Sequence, residues 1–264
     1  MKFVMSNEEV HDEAGFLERL SSDLKPFYEP RLPYHNWDEH IEHGLGIIDN
    51  LCEQEKAKGN PINSFIAKVA YMGHDAGFPH DLITPDIWKK HGSKEGYSTH
   101  IMDVLLQNYG LEESCIRGVQ TCIMFTKMGE QLPEDIDKEL GNTAKAVRTA
   151  DLSHIFGPYK DFVIDSFKLM EEAKMYGRET VLAEFKDRTR FVLTNYLSLG
   201  FIPSGAYSIA DGMKNIERFG KDSPSRLLKV VGNQANRFAS LVKREAASLP
   251  ISRCSSVVRL PGVS

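Results

Sequence analysis

The sequence predicts an all-α fold. Apolar residues recur at three- and four-residue spacings along most of the chain, and alternating strand-like runs are scarce. Gly and Pro punctuate the periodic segments at helix-length intervals. Hydrophobic residues make up 41% of the 264 positions and charged ones 26%, an ordinary balance for a chain able to bury a large core.

The elements follow in order. Residues 8–25 carry Val10, Ala14, Phe16, Leu17 and Leu20, an amphipathic opening helix. Pro26 to Pro33 breaks it with three prolines. The next helix starts near Asn36 or Trp37, buries Ile41, Leu45, Ile48 and Leu51, and ends near Lys58 before Gly59-Asn60-Pro61. A further helix has Pro61 near its first turn and Ile62, Phe65, Ile66, Val69 and Ala70 as its stripe. Gly77 and Pro79 stop it. Residues 78–97 read as a loop with one short helix. Ser98 then reads as the cap of a helix carrying Ile101, Val104 and Leu105. Another helix covers Glu113 to about Phe125. Asn142 or Thr143 caps a helix holding Ala144, Val147 and Ala150, stopped by Gly157-Pro158. Long helices are expected at 159–176, 178–199, 206–218 and 223–248. The expected organisation is one all-α domain over 1–249. Its site-bearing core spans about 30–160, C-terminal helices over about 159–248 pack around it, and a mobile tail covers 250–264.

The formal net charge of −5 gives no global attraction to nucleic acid or anionic membrane. No apolar run approaches the ~20 residues a membrane span needs. The stretch Met1-Lys2-Phe3-Val4-Met5-Ser6-Asn7-Glu8-Glu9 turns acidic before a signal-peptide core forms. Four cysteines occur, none in a CxxC pair, and Cys115 and Cys122 share a helix face as buried free thiols. These features place the chain in a reducing cytoplasm.

The pair His74-Asp75 carries the chemistry. It closes an apolar helical stretch and precedes Ala76-Gly77. Neighbouring side chains in a regular helix diverge by about 100°, so adjacent ligands of one ion need a helix end. Gly77 supplies that end. Asp151 adds a second carboxylate from a distant helix, and His40 or His43, three apart on one face, adds another imidazole. Two imidazoles and two carboxylates suit Mn, Fe, Co, Ni or Zn better than Ca, with Mg kept among the candidate ions. Such an ion makes water nucleophilic near neutral pH. Lys94, Lys127 and Arg148 are candidate phosphate grips. Arg148 lies three residues before Asp151 on the same helix face, and an Arg there either pairs with Asp151 or reaches a phosphate in a bidentate way. Lys127 sits at a helix end, where a cation also suits the helix dipole. His91 and His100 read as surface residues, as do His11, His80 and His154, although His154 is placed to support Asp151.

Tyr34-His35-Asn36…His40, His74-Asp75-Ala76-Gly77, Glu95-Gly96-Tyr97-Ser98 and Ala150-Asp151-Leu152-Ser153 occur in that order. In this the chain resembles the HD-domain metal-dependent phosphohydrolases, over about residues 30–160. The resemblance implies a compact HD-type helical bundle with additional C-terminal helices. It implies His40, His74, Asp75 and Asp151 as metal ligands, His35 as the acid that protonates the leaving oxygen, and Glu95 as a residue that orients water, acts as base or helps hold a second ion. Asp75 is then both ligand and part of the catalytic set. Two departures stand out. Three residues, Trp37-Asp38-Glu39, separate Asn36 from His40, one more than the tight Asn-x-x-His spacing. Met128 follows Thr126-Lys127 where many relatives carry a His.

The expected activity is hydrolysis of a phosphomonoester or phosphodiester, of a nucleotide above other substrates, by metal-activated water. The partner is then a small phosphorylated molecule, with neither nucleic acid nor membrane, and homo-oligomerisation stays open. Two other classes remain. A di-iron oxygenase on the same scaffold needs, by the resemblance, two more histidines between Asp75 and the last Asp. A non-catalytic regulator would bind metal or nucleotide without turnover.

Overall fold

The structure is a computed structural model that describes residues 13–28, 31–77, 89–175, 181–198 and 209–243. Its described residues form helices, turns and loops with no β-strand, as the periodicity predicts. The α-helices are α1 (Glu13–Leu24), α2 (Glu42–Ala57), α3 (Ser64–Gly73), α4 (Lys94–Asn108), α5 (Glu113–Thr126), α6 (Lys138–Asp151), α7 (Tyr159–Met175), α8 (Leu182–Ser198), α9 (Ile209–Lys221), α10 (Pro224–Val231) and α11 (Ala235–Lys243). The predicted tail over 250–264, the start of the predicted opening helix, His11 and His80 lie outside the described residues.

Helix α3 is the axis of the fold. It buries Phe65, Ile66, Ala67, Val69, Ala70, Tyr71, Met72 and Gly73, and a helix apolar on nearly every side is surrounded by others. Around it pack α1, α2, α4, α5 and α6. Phe16, Leu20 and Leu24, spaced by four, form the buried face of α1, and Phe16 meets Phe65 with ring centroids 5.3 Å apart. The Tyr28 hydroxyl donates to the Met72 carbonyl at 2.7 Å, which holds the end of α3 in place. Cys115 and Cys122 are buried in α5 as free thiols.

A second cluster of buried apolar residues begins at Ile155 and includes Phe162, Phe167, Leu182, Phe219, Leu227 and Phe238. It joins α7 to the helices that follow. The helix predicted over 223–248 is two helices in the structure, because Gly232 takes φ 60° between them. That left-handed conformation is cheap only for glycine.

Two predicted caps are replaced by others. Ser93, not Ser98, caps α4 by accepting from the Gly96 amide at 3.0 Å. Asp137, rather than Asn142 or Thr143, caps α6 by accepting from the Glu139 and Leu140 amides. Thr143 is instead buried and accepts the Asn63 amide at 2.9 Å, while Asn142 donates to the Pro61 carbonyl. A cap residue and a residue that ties two elements together have the same composition, and only packing tells them apart.

Helix α3 ends at Gly73, and residues 74–77 form the turn after it. Gly77 acts in that turn by its lack of a side chain. A Cβ at Gly77 would lie 2.7 Å from the Lys94 carbonyl oxygen and 2.8 Å from the Ser98 amide nitrogen. The Gly77 amide donates to the Ser98 hydroxyl at 2.9 Å. The first turn of α4 is thereby pressed against the His74-Asp75 turn. Gly77→Ala forces backbone against backbone, and the expected cost is about 1–3 kcal/mol. Urea denaturation checks this, and a loss below about 0.5 kcal/mol would show that the turn yields freely.

Candidate metal centre

His40 comes from a π-helical turn, Trp37–Ile41, that opens into α2. Asn36 caps this turn by accepting from the Glu39 amide at 2.9 Å. A π turn holds one more residue than an α turn. It accommodates the extra residue between Asn36 and His40, so the longer spacing still delivers His40 inward. His40 is buried. His43 is exposed, and both histidines line a cavity of about 360 Å³ with Tyr34, His154, Asp161 and Lys168.

His74 and Asp75 leave the turn after α3, and Asp151 is the last residue of α6. One donor atom from each of His40, His74, Asp75 and Asp151 lies within 4.8 Å of all the others. The His40 and His74 Nε2 atoms are 3.2 Å apart. Asp75 Oδ2 lies 3.4 Å from His40 Nε2 and 3.2 Å from His74 Nε2. Asp151 Oδ1 lies 3.6 Å and 3.3 Å from the same two atoms. An ion with bonds of about 2.1 Å separates neighbouring ligand atoms by roughly 3.0–3.4 Å. Asp75 Oδ2 is buried without a hydrogen-bond partner. An orphaned carboxylate oxygen facing two imidazoles fits a bound cation, and the donor set fits a divalent transition metal or Mg.

The His74 tautomer agrees. His74 Nδ1 donates to the Tyr71 carbonyl at 2.6 Å, which leaves Nε2 to face the cluster. The Tyr71 hydroxyl donates to the His40 carbonyl at 3.1 Å, tying α3 to the π turn. Burial alone would lower the pKa of His74, but the Asp75 and Asp151 carboxylates outweigh it and push it up to about 10. Burial holds His40 down to about 4 despite Asp75. Asp75 resists its burial because His74 and Lys94 keep its carboxyl well below the usual range. In Asp151 too the His74 charge overcomes burial and lowers the pKa. One imidazolium between two carboxylates leaves one negative charge, which the Lys94 ammonium at Asp75 Oδ1 offsets.

His35 stands beside this cluster, its Nε2 3.7 Å from Asp75 Oδ2. Its Nδ1 hydrogen-bonds the Glu172 carboxylate in α7. Glu172 also accepts from the Tyr34 amide at 3.2 Å and the His35 amide at 3.1 Å. Burial opposes its charge, yet His35 and the two amides hold the carboxyl below its ordinary value. Nothing in the sequence distinguishes Glu172: in Glu171-Glu172 it resembles a solvated face. Tyr34 spans the gap behind, its hydroxyl 2.8 Å from His154 Nδ1.

The proposed phosphate grips separate into two groups. Lys94 reaches the centre and donates to Asp75 Oδ1 at 2.7 Å. Glu95 is buried beside it, with Oε1 3.8 Å from the Lys94 ammonium. Arg148 is not placed as a phosphate grip. It is fully buried and stacked on Phe125, and it donates to the carbonyls of Phe125 at 2.6 Å and Glu130 at 3.0 Å. The carbonyls at the end of α5 take the guanidinium that its spacing offers to Asp151 or to a phosphate. Lys127 caps that same helix end and pairs with Glu130 at 3.6 Å. His91 and His100 stack on each other with centroids 4.7 Å apart, and neither belongs to the four-residue cluster.

Two outcomes follow. Arg148→Met strands those carbonyls and lowers stability by about 3 kcal/mol, read by chemical denaturation. A result within about 0.5 kcal/mol of the unchanged chain would contradict the structural role. The second concerns pH. A raised pKa means that His74 keeps its proton at neutral pH in the metal-free chain. That charge stabilises the fold fully below the ordinary value of 6.5, and its contribution fades as pH rises through about 10. A metal competes with the same proton. Binding between pH 6 and 8 therefore releases about one proton per ion, and affinity rises about tenfold per pH unit. Calorimetry in buffers of different ionisation enthalpy measures the release. Affinity independent of pH would refute the charged His74.

No protein-family model matches the chain, and no curated protein matches it. Among solved structures it is similar to the phosphodiesterase domain of the RhoPDE fusion protein from the choanoflagellate Salpingoeca rosetta. The identity is 14% and the TM-score 0.53, over 88% of this chain and 84% of that one. A second structure of the phosphodiesterase domain of Salpingoeca rosetta rhodopsin phosphodiesterase aligns at 14% identity and a TM-score of 0.49, over 88% and 82% of the two chains. At this identity the first likeness is one of fold: the chain folds as a compact all-α bundle similar to a phosphodiesterase domain.

Proposed function

We propose that the chain is a metal-dependent phosphohydrolase of the HD type, cleaving a phosphomonoester or phosphodiester, with nucleotides the first class to test. The observation that supports this most is the quartet of buried His40, His74 and Asp75 with half-buried Asp151, which has an unpartnered carboxylate oxygen and a carboxylate-held histidine beside it. A divalent ion bound there supplies positive charge at the phosphate and a lowered pKa for water. The four side chains would hold that ion, and Tyr71 and Tyr28 hold the backbone that carries them.

His35 is the proton donor to the leaving oxygen. Its Nδ1–H is committed to Glu172, so Nε2 is the atom that gives up a proton on the side facing the cluster. Glu172 is a positioning residue: it fixes the ring and stabilises the imidazolium that precedes transfer. Lys94 adds a positive charge on the other oxygen of Asp75. Slow phosphate-ester hydrolysis leaves most of the barrier to such charge stabilisation. The substrate is a small phosphorylated molecule, and no described helix is long and apolar enough to cross a membrane.

The test is metal analysis followed by phosphate release from a panel of nucleotides, dinucleotides and simple phosphate esters with Mn, Mg, Co and Ni. His74→Ala or Asp75→Ala lowers kcat/KM at least 1,000-fold, about 4 kcal/mol. Glu172→Ala lowers kcat about 10- to 100-fold with little change in KM, and Glu172→Asp recovers part of it. Full activity in His74→Ala and Asp75→Ala sinks the mechanism. Metal binding with no turnover across the panel favours a non-catalytic regulator.

A further inference from the structure

Asp75 presents two oxygens to two different cations. Its Oδ2 faces His40 and His74 in the four-residue quartet. Its Oδ1 accepts a hydrogen bond from Lys94 Nζ at 2.7 Å. The same ammonium lies 3.8 Å from Glu95 Oε1. Asp75 and Glu95 are both buried, so this is a cation held between two carboxylates next to the ion site.

A carboxylate that bridges two cations through its two oxygens, with a second carboxylate closing one side, is the donor arrangement of a two-metal centre. Here one of the two positions is filled by a covalently attached charge. We propose that the Lys94 ammonium occupies the place of a second divalent ion, so that the centre takes one ion per chain. This rests on the reading of His40, His74, Asp75 and Asp151 as a metal site, and deepens it by assigning stoichiometry.

The position of Lys94 is well constrained. It is the first residue of α4, where Ser93 caps the helix and Gly77 lets that turn approach. The lysine thus enters the site from a fixed backbone, and its four-carbon stem spans the distance to Asp75. A second ion would bring two positive charges beside this ammonium and would have to take Asp75 Oδ1 from it. Removing the side chain leaves Asp75 Oδ1 and Glu95 as oxygen ligands beside the first ion.

The experiment counts ions. Native mass spectrometry and calorimetry with Mn²⁺ on the full chain give one ion for the unchanged protein. Lys94→Ala raises the count to two, and Lys94→Ala combined with Glu95→Gln returns it to one. Two ions on the unchanged protein overturn the proposal, as does a folded Lys94→Ala chain that still takes one. If Lys94→Ala does not fold, the count on the unchanged protein at millimolar Mn²⁺ decides, one supporting and two overturning. No ion on the unchanged protein would instead overturn the metal-centre reading itself, so the two failures are told apart.

Discussion

The structure depends on a buried carboxylate that cannot stand alone. Asp75 is 1% exposed, and an isolated ionised carboxylate in that setting is costly enough to force either protonation or a partner. One oxygen is bonded by Lys94, and the other faces His40 and His74 without a hydrogen bond. Each of the three comes from a different element. The π turn brings His40, the turn after α3 brings His74 with Asp75, and α4 begins at Lys94. The charge therefore couples the packing of three segments to one atom group, and the apolar contacts of α3 determine whether they meet.

The C-terminal helices are more than a cover. Glu172 in α7 reaches across more than a hundred residues of chain to hold the backbone of Tyr34 and His35 and the ring of His35. Lys168, one turn earlier in α7, pairs with Glu39 in the π turn. The segment that carries His35 and His40 is thus gripped from outside the first apolar cluster. Phe162 and Phe167 of the second cluster lie on the same helix as Glu172.

The fold class and the four quartet residues were legible because each left a local mark. Helical periodicity needs only neighbours in sequence, and His74-Asp75 before a glycine is a pattern within one turn. Gly77 marks the end of the helical stretch in the sequence, and the structure adds what the sequence does not show, its close approach to α4. Arg148 was assigned to phosphate from its spacing to Asp151. The end of α5 takes it instead, because carbonyls without helical partners are strong acceptors that leave no trace in sequence. Glu172 left no mark at all.

The sequence by itself determined that the chain is helical, where most helices lie, and which imidazoles and carboxylates are available to an ion. Only the tertiary structure decided between His40 and His43, because one extra residue in a π turn sets which imidazole points inward. Only the tertiary structure joined His35 to Glu172 and Lys94 to Asp75. The physical reason is range. Periodicity and capping patterns act over a few residues, whereas a buried charge is satisfied by whatever donor the packing of distant helices brings within about 3 Å. The quartet was written along the chain, and the residues that give it a direction were written only in space.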